Sequence, residues 1–446
     1  MHAAARHVTA SRPARGWTPV AGARYFGQLR AVLLLVMLLG AIWPPHVVSV
    51  IQAVQTPLFG TLETLPDRAA TEAAAGVRLA ELTLGWNVYE PEQGQFSTAY
   101  VAQRRAALDA FQHAGLQVVL GVALHYPPAW VFQYANSRFV NQYGGTAGEV
   151  NLVFNVALRH QAALFIDRLS KDFPLRQFAA IRVTSGGDPE AMYPEERADG
   201  VHADAYWAYD ANAQGGGGRP DAIGPAPMPG WVPGQRTWQG HPVTAAMAGQ
   251  WYAWYLGALD NEVNWQLQLY RSLGYTGSLQ VLTPGVGTRP IQYAAAVAHD
   301  LADQYDSSAT LGRGAVWDRF YEGLWQRRGV VAYVSSLADG SGGDDSCLPG
   351  DARADWATQA VANWSAARFI SAVADRLGLG KAGENPGEGT TGYGSAMMVS
   401  AARQALSCGM SEEFWAHDAN LYAGTGGLSL PAFARTITFI HALMLP

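Results

Sequence analysis

From residue 55 onward, short apolar runs alternate with stretches whose apolar positions recur at helical spacing, the pattern of repeated strand–helix units. PLFGT (57–61) reads as a first strand, and Thr64 with Asp67 three residues later reads as the start of a helix ending at Gly76. VRLAELTLGW (77–86) is a second strand, followed by a helix from Tyr100 to His113 that Gly115 stops. LQVVLGVAL (116–124) is almost wholly apolar, as a strand buried on both faces should be. A helix over 153–170 leads to a fourth strand, FAAIRVT (178–184). A Gly/Pro-rich loop over 213–240 precedes a long helix from Thr244 to Leu273 and a fifth strand, SLQVLT (278–283). VVAYVSS (330–336) is the sixth strand, with a Gly/Asp-rich loop (339–352) and a helix over 354–377 behind it. A short seventh strand lies around Lys381–Glu384, a helix covers 393–407, an eighth strand falls within 414–423, and a closing helix ends near Leu443.

Eight strand–helix units in order predict the α/β class and a single (β/α)₈ TIM barrel with long βα loops over residues 55–446. The residues before it form a different unit. Arg12, Arg15, Arg24 and Arg30 precede the uncharged run AVLLLVMLLGAIW (31–43), which Pro44 and Pro45 close. A bilayer needs about 20 apolar residues, so residues 1–54 read as a signal peptide or as an uncleaved anchor extended through VVSVI. Either implies an exported protein, secreted or held on the outer face of the membrane, touching the membrane only through that segment if it is uncleaved.

Composition narrows the function classes. Half the 446 residues are hydrophobic, the net charge is −6 and no basic stripe occurs, which argues against a nucleic-acid partner. Two cysteines, Cys347 and Cys408, are too few for a metal site and compatible with one disulfide in an exported chain. No cofactor or metal is expected: no P-loop, HExxH or Ser-His-Asp pattern is present, and GGGG (215–218) lacks the strand and helix of a dinucleotide loop. The 15 Trp suit stacking on sugar rings, although ordinary core packing accounts for them equally.

A barrel of this kind builds its site from the loops after each strand. Strand two runs into Trp86, Asn87, Tyr89 and Glu90; strand three into His125, Tyr126 and Trp130; strand four into Asp188, Glu190 and Tyr193; strand seven into Glu384 and Asn385. Two carboxylates on one rim are what glycosidic cleavage requires, one donating a proton and the other attacking the anomeric carbon or activating water. Glu190 is therefore the candidate acid and Glu384 the candidate second carboxylate. Trp86, Tyr89, Trp130 and Tyr193 are candidate sugar platforms, and His125, Asp188 and Asn385 candidate hydroxyl binders. Each glutamate has a plainer reading as a loop acid. Glu90 and Asp188 are reserve carboxylates, Glu90 doubling as a turn residue; His417 and Asp418 lie near the eighth strand. Trp251, Trp254 and Tyr255 share a helix and belong to core packing.

These motifs carry a resemblance. W-x-x-Y-E-P-x-x-G-x-F followed by P-P-A-W, within 76–130, resembles the family 42 β-galactosidases of glycoside hydrolase clan A. V-T-S-G-G-D-P-E-A-M-Y-P (183–194) is similar to the β-amylase segment around its general acid, and A-G-E-N-P (382–386) to the segment around its base. The resemblance implies a carbohydrate substrate, Glu190 as acid and Glu384 as base or nucleophile, with retention or inversion open. Two other readings stand beside it: a catalytically inactive barrel that binds carbohydrate at the cell surface, and a transglycosidase using the same two glutamates.

Overall fold

The computed structural model describes residues 56–185, 189–302, 310–338, 340, 342–343, 345–385, 394–424 and 427–444. The apolar run 31–43 and Asp188 lie outside them. Among the described residues, no helix is long and apolar enough to cross a membrane.

Eight parallel strands close into a barrel: β1 (Leu58–Thr61), β2 (Leu79–Gly85), β3 (Gln117–Ala123), β4 (Ala180–Val183), β5 (Ser278–Thr283), β6 (Val330–Val334), β7 (Gly380–Asn385) and β8 (Glu412–Trp415), with β8 pairing back onto β1. Helices follow in chain order: α1 (Ala69–Ala74), α2 (Thr98–His113), α3 (Val156–Asp172), α4 (Ala245–Ser272), α5 (Pro290–Ala298), α6 (Trp317–Gly323), α7 (Ala366–Leu377), α8 (Ser395–Ser407) and α9 (Leu430–Leu443). The expected (β/α)₈ barrel is what forms.

Local chemistry sets these boundaries. Ser97, Asn155, Thr244, Ser365 and Ser429 each accept a backbone N–H of the first turn they precede, capping α2, α3, α4, α7 and α9. Gly378, left-handed at φ 69°, ends α7, where a side chain would be strained. Of the Trp251, Trp254 and Tyr255 group on helix α4, Trp251 and Tyr255 are buried and Trp254 half-buried; Tyr255 stacks on Trp251 and Tyr193, and Tyr206 meets it edge-on, so the group packs in the core outside the barrel.

Three expected boundaries moved. Helix α1 starts at Ala69 rather than near Thr64, because the Thr64 hydroxyl donates to the Thr61 carbonyl and turns the chain there. The helix expected over 354–377 is broken: Arg289 donates to the Trp364 carbonyl, and Ser365 caps a fresh helix. Strand β8 begins at Glu412, earlier than expected, since Glu412 and Glu413 look like turn residues but take part in the sheet.

Inside the barrel the period of two governs. Leu79, Val119, Ala180, Leu282, Val331, Tyr333, Ala382 and Phe414 share one inner cluster. Alternate residues nearer the C-terminal ends of the strands are polar, and they form the floor of the site.

Candidate active site

A cavity of about 420 Å³ opens at the C-terminal ends of the strands, within the roughly 300–1,000 Å³ usual for small-molecule sites. Every barrel strand or the loop after it contributes to its wall, including Glu63, Glu81, His125, Arg182, Glu190, Glu195, Arg313, Ser335, Glu384 and His417.

The floor is an ion cluster that spans the barrel. Arg182, on β4, donates to Glu81 at 3.0 Å and, on its other arm, to Glu384. Glu81 lies on β2, so it must reach across β3 to meet the guanidinium. Gly121 is the residue of β3 in register with Arg182, and a Cβ there would sit 2.6 Å from Glu81 Oε1. The bare backbone is what lets the pair form. Tyr333, from β6, donates to the same Glu384 oxygen at 2.7 Å, and Arg182 lies over its ring at 4.9 Å.

Glu190 arrives by another route. After β4 the chain folds back, so that Ser185 N donates to the Glu190 carbonyl and Ala191 N donates to the Leu282 carbonyl at the top of β5. This seats Glu190 over β5 and β6, where the Ser335 hydroxyl donates to its carboxylate. Ser335 directly follows Val334, which is in register with Gly383 on β7, the residue before Glu384. Glu190 is thus held by the end of β6, beside β7, which carries Glu384, and both glutamates line the same cavity.

Their electrostatics differ. Burial pushes Glu190 up to about 7; Ser335 and Arg313 pull it down, and the charges of Glu384 and Glu195 push it further up. Burial also raises Glu384, but the Arg182 charge and the Tyr333 hydroxyl oppose it at contact distance. Contact with a guanidinium favours the charged form of a carboxylate, so Arg182 works against the burial that raises Glu384. His125 is driven down to about 4 by burial, with Arg182 adding to the effect, so it is a neutral imidazole at physiological pH. Its buried Nδ1 has no hydrogen-bond partner among the described residues. His417 Nδ1 lies 3.2 Å from Glu63, which raises its pKa.

Several expected site residues are elsewhere. Trp86, Tyr89, Trp130 and Tyr193 are buried beneath the rim and do not line the cavity. Trp86 stacks on Phe165 and donates to Glu90, Tyr89 donates to Asp172, Trp130 donates to the Glu90 carbonyl, and Tyr193 stacks on Tyr255. Short strand–helix turns fold these large rings back against the helices, where they bury more apolar area than a rim position allows. Glu90 is a brace for that turn, accepting from Trp86 and from Gly94 N at 2.8 Å. Asn385 is buried too, accepting from Ala338 N and tying the β6 loop to β7. Asp418, also buried, pairs with Arg68. Among the described residues, Tyr126 is an aromatic ring that lines the cavity, 55% exposed and packed 4.3 Å from His125.

Sequence reasoning had passed over Arg182, Glu81, Tyr333 and Ser335. A signal existed for the first two. Charged residues inside strands that are otherwise apolar are costly unless paired, and 79–85 and 180–183 hold one each. Among the described residues, no three or more His, Cys, Asp or Glu side chains are grouped to hold a metal ion.

Comparison of the sequence with family models and with curated proteins gives no match. Solved structures do resemble the fold. The catalytic domain of β-amylase from Paenibacillus polymyxa superposes with a TM-score of 0.62 at 14% identity, covering 88% of this chain and 99% of that one. A β-galactosidase from the Antarctic haloarchaeon Halorubrum lacusprofundi gives 0.50 at 14% identity, covering 86% of this chain and 58% of that one. Both establish the (β/α)₈ barrel.

Proposed function

We propose that the protein is a glycoside hydrolase, with Glu190 as general acid and Glu384 as the carboxylate that attacks the anomeric carbon or activates water. The observation that carries this is the pairing of two glutamates at one cavity in different settings: burial raises both, and the Arg182 guanidinium and Tyr333 hydroxyl act against it at Glu384. Burial lifts Glu190 to about 7, while Glu384 is held by Arg182 and Tyr333. Glycosidic cleavage needs that division: a protonated group to give the leaving oxygen its proton, and a charged one to meet the oxocarbenium-like centre. The resemblance of the fold to a β-amylase and a β-galactosidase supports the same class of reaction. His125, with its neutral ring, is placed to hydrogen-bond a sugar hydroxyl, and Tyr126 to stack on a ring.

The alternative of an inactive binding barrel is less favoured. Such a protein depends on aromatic platforms, and four of the rings expected for that purpose are buried, whereas both carboxylates face the cavity. A transglycosidase would use the same two groups and differ in excluding water. Export, by secretion or by an N-terminal anchor, is part of this proposal and places the substrate outside the cell as an oligo- or polysaccharide.

The test is a panel of glycans and aryl glycosides given to wild type and to Glu384→Gln. Turnover by wild type that the variant loses is the expected result, and the anomer of the first-formed product then reports retention or inversion. Sugar binding of equal strength in both proteins without any turnover would instead favour the binding barrel.

A further inference from the structure

Among the described residues, Arg182, Arg313 and His417 of the cavity wall each face a carboxylate. Arg182 is shared by Glu81 and Glu384, and His417 faces Glu63 at 3.2 Å. Arg313 differs from these in its setting. It is 14% exposed on the wall, and its charge reaches Glu190. Its guanidinium lies 3.1 Å from Glu195 Oε1 and 3.1 Å from the Met192 sulfur. Its backbone carbonyl accepts from Tyr193 N, which ties it to the segment that carries Glu190. Glu195, by contrast, is 60% exposed and also lines the cavity.

A guanidinium beside the acid of a sugar site is the group that recognises a carboxylate on an incoming ring, through two parallel N–H donors. Here that position is covered. We propose that Glu195 is a specificity-determining residue: it masks Arg313, and so confines the site to sugars without a carboxylate on the ring that meets this wall. The inference rests on the glycosidase reading. An exposed ion pair of this kind adds little to stability, but it decides what the guanidinium is free to meet. A uronic acid would have to displace Glu195 and would then share the cavity with that carboxylate as well as Glu63, Glu81 and Glu384. A neutral sugar faces no such competition, since its hydroxyls bond to charged and uncharged groups alike.

The experiment uses matched 4-nitrophenyl pairs that differ only at C6, glucoside against glucuronide and galactoside against galacturonide, in both anomers. The ratio of kcat/KM within a pair is measured for wild type, Glu195→Gln and the double variant Glu195→Gln/Arg313→Ala. The ratio cancels any change in the acidity of Glu190, because both members of a pair need the same proton. Wild type should favour the neutral member, Glu195→Gln should narrow the preference by roughly tenfold or more, as a newly available charged hydrogen bond would, and loss of Arg313 should restore it. Equal turnover of the two members by wild type overturns the inference while leaving the glycosidase intact, as does a ratio that Glu195→Gln leaves unchanged. A wild type that cleaves nothing in the glycan panel and no member of any pair removes the glycosidase reading, and this inference with it.

Discussion

Arg182 donates to Glu384 from three strands away around the barrel, and the two residues are separated by 202 positions in the chain. The contact is buried, with Tyr333 on the same oxygen and Glu81 on the other arm of the guanidinium. It orders the floor of the site and favours the charged form of Glu384 against the burial that raises it, a contact that sets this carboxylate apart from Glu190.

Glu190 keeps its proton up to about pH 7. If it is the acid, kcat/KM should fall about tenfold per pH unit above that point, because the ionised form has no proton to give. Glu190→Gln should lower turnover of unactivated glycosides by roughly 10²–10⁴-fold. A 2,4-dinitrophenyl glycoside, whose leaving group needs no proton, should lose much less. An equal loss on both substrates would take the acid role away from Glu190.

Tyr333→Phe keeps the ring that fills the barrel and removes one hydrogen bond to Glu384. Losing a donor to the ionised form should move the acidic limb of the pH–rate profile upward by roughly one pH unit. Arg182→Met is a harsher change. It leaves Glu81 and Glu384 buried without a counter-charge, and should cost about 3–5 kcal/mol of stability in urea denaturation. A Tyr333→Phe profile that overlays the wild type would show that the hydroxyl does not tune Glu384.

Glu413 sits in β8 with both carboxylate oxygens buried and unpartnered among the described residues, and burial pushes it up to about 8 from an ordinary 4.5. Its carboxyl keeps a proton in the folded chain at pH values where the unfolded chain has lost it. Between pH 4.5 and about 8 the folded state thus binds more protons, so stability falls as the pH rises through that window. At about 1.4 kcal/mol for each pH unit of the window, the loss amounts to a few kcal/mol. Glu413→Met should therefore raise the Tm at pH 8 far more than at pH 4.5. A gain that is the same at both values would remove this account of the residue.

Cys347 and Cys408 form a disulfide across 61 residues. It joins the loop after β6 to the end of α8, just ahead of β8. Closing a loop of that length restricts the unfolded chain by about 4 kcal/mol. Cys347→Ser/Cys408→Ser should lose stability on that order, and the denatured wild-type protein should contain no titratable thiol. Two free thiols in protein recovered after export would refute the pairing.

The repeating chemistry of the chain was readable one strand at a time. Buried β strands such as 117–123 are apolar on both faces, helices announce themselves through caps such as Ser97 and Asn155, and eight such units in order leave few alternatives to a barrel. Glu190 and Glu384 stood out for the same local reason, since each follows a strand whose end must face the rim. The aromatic platforms were misjudged because sequence gives a ring's place along the chain but not its direction. Trp86 and Tyr193 turn inward because Phe165 and Tyr255, far away in sequence, offer them buried surface. The same limit hid Tyr333, which looks like an ordinary member of an apolar strand, and hid the partners that Arg182 needs. Only closure of the barrel brings β2, β4, β6 and β7 around one axis, and a charge inside a strand acquires its meaning from the partners that closure supplies.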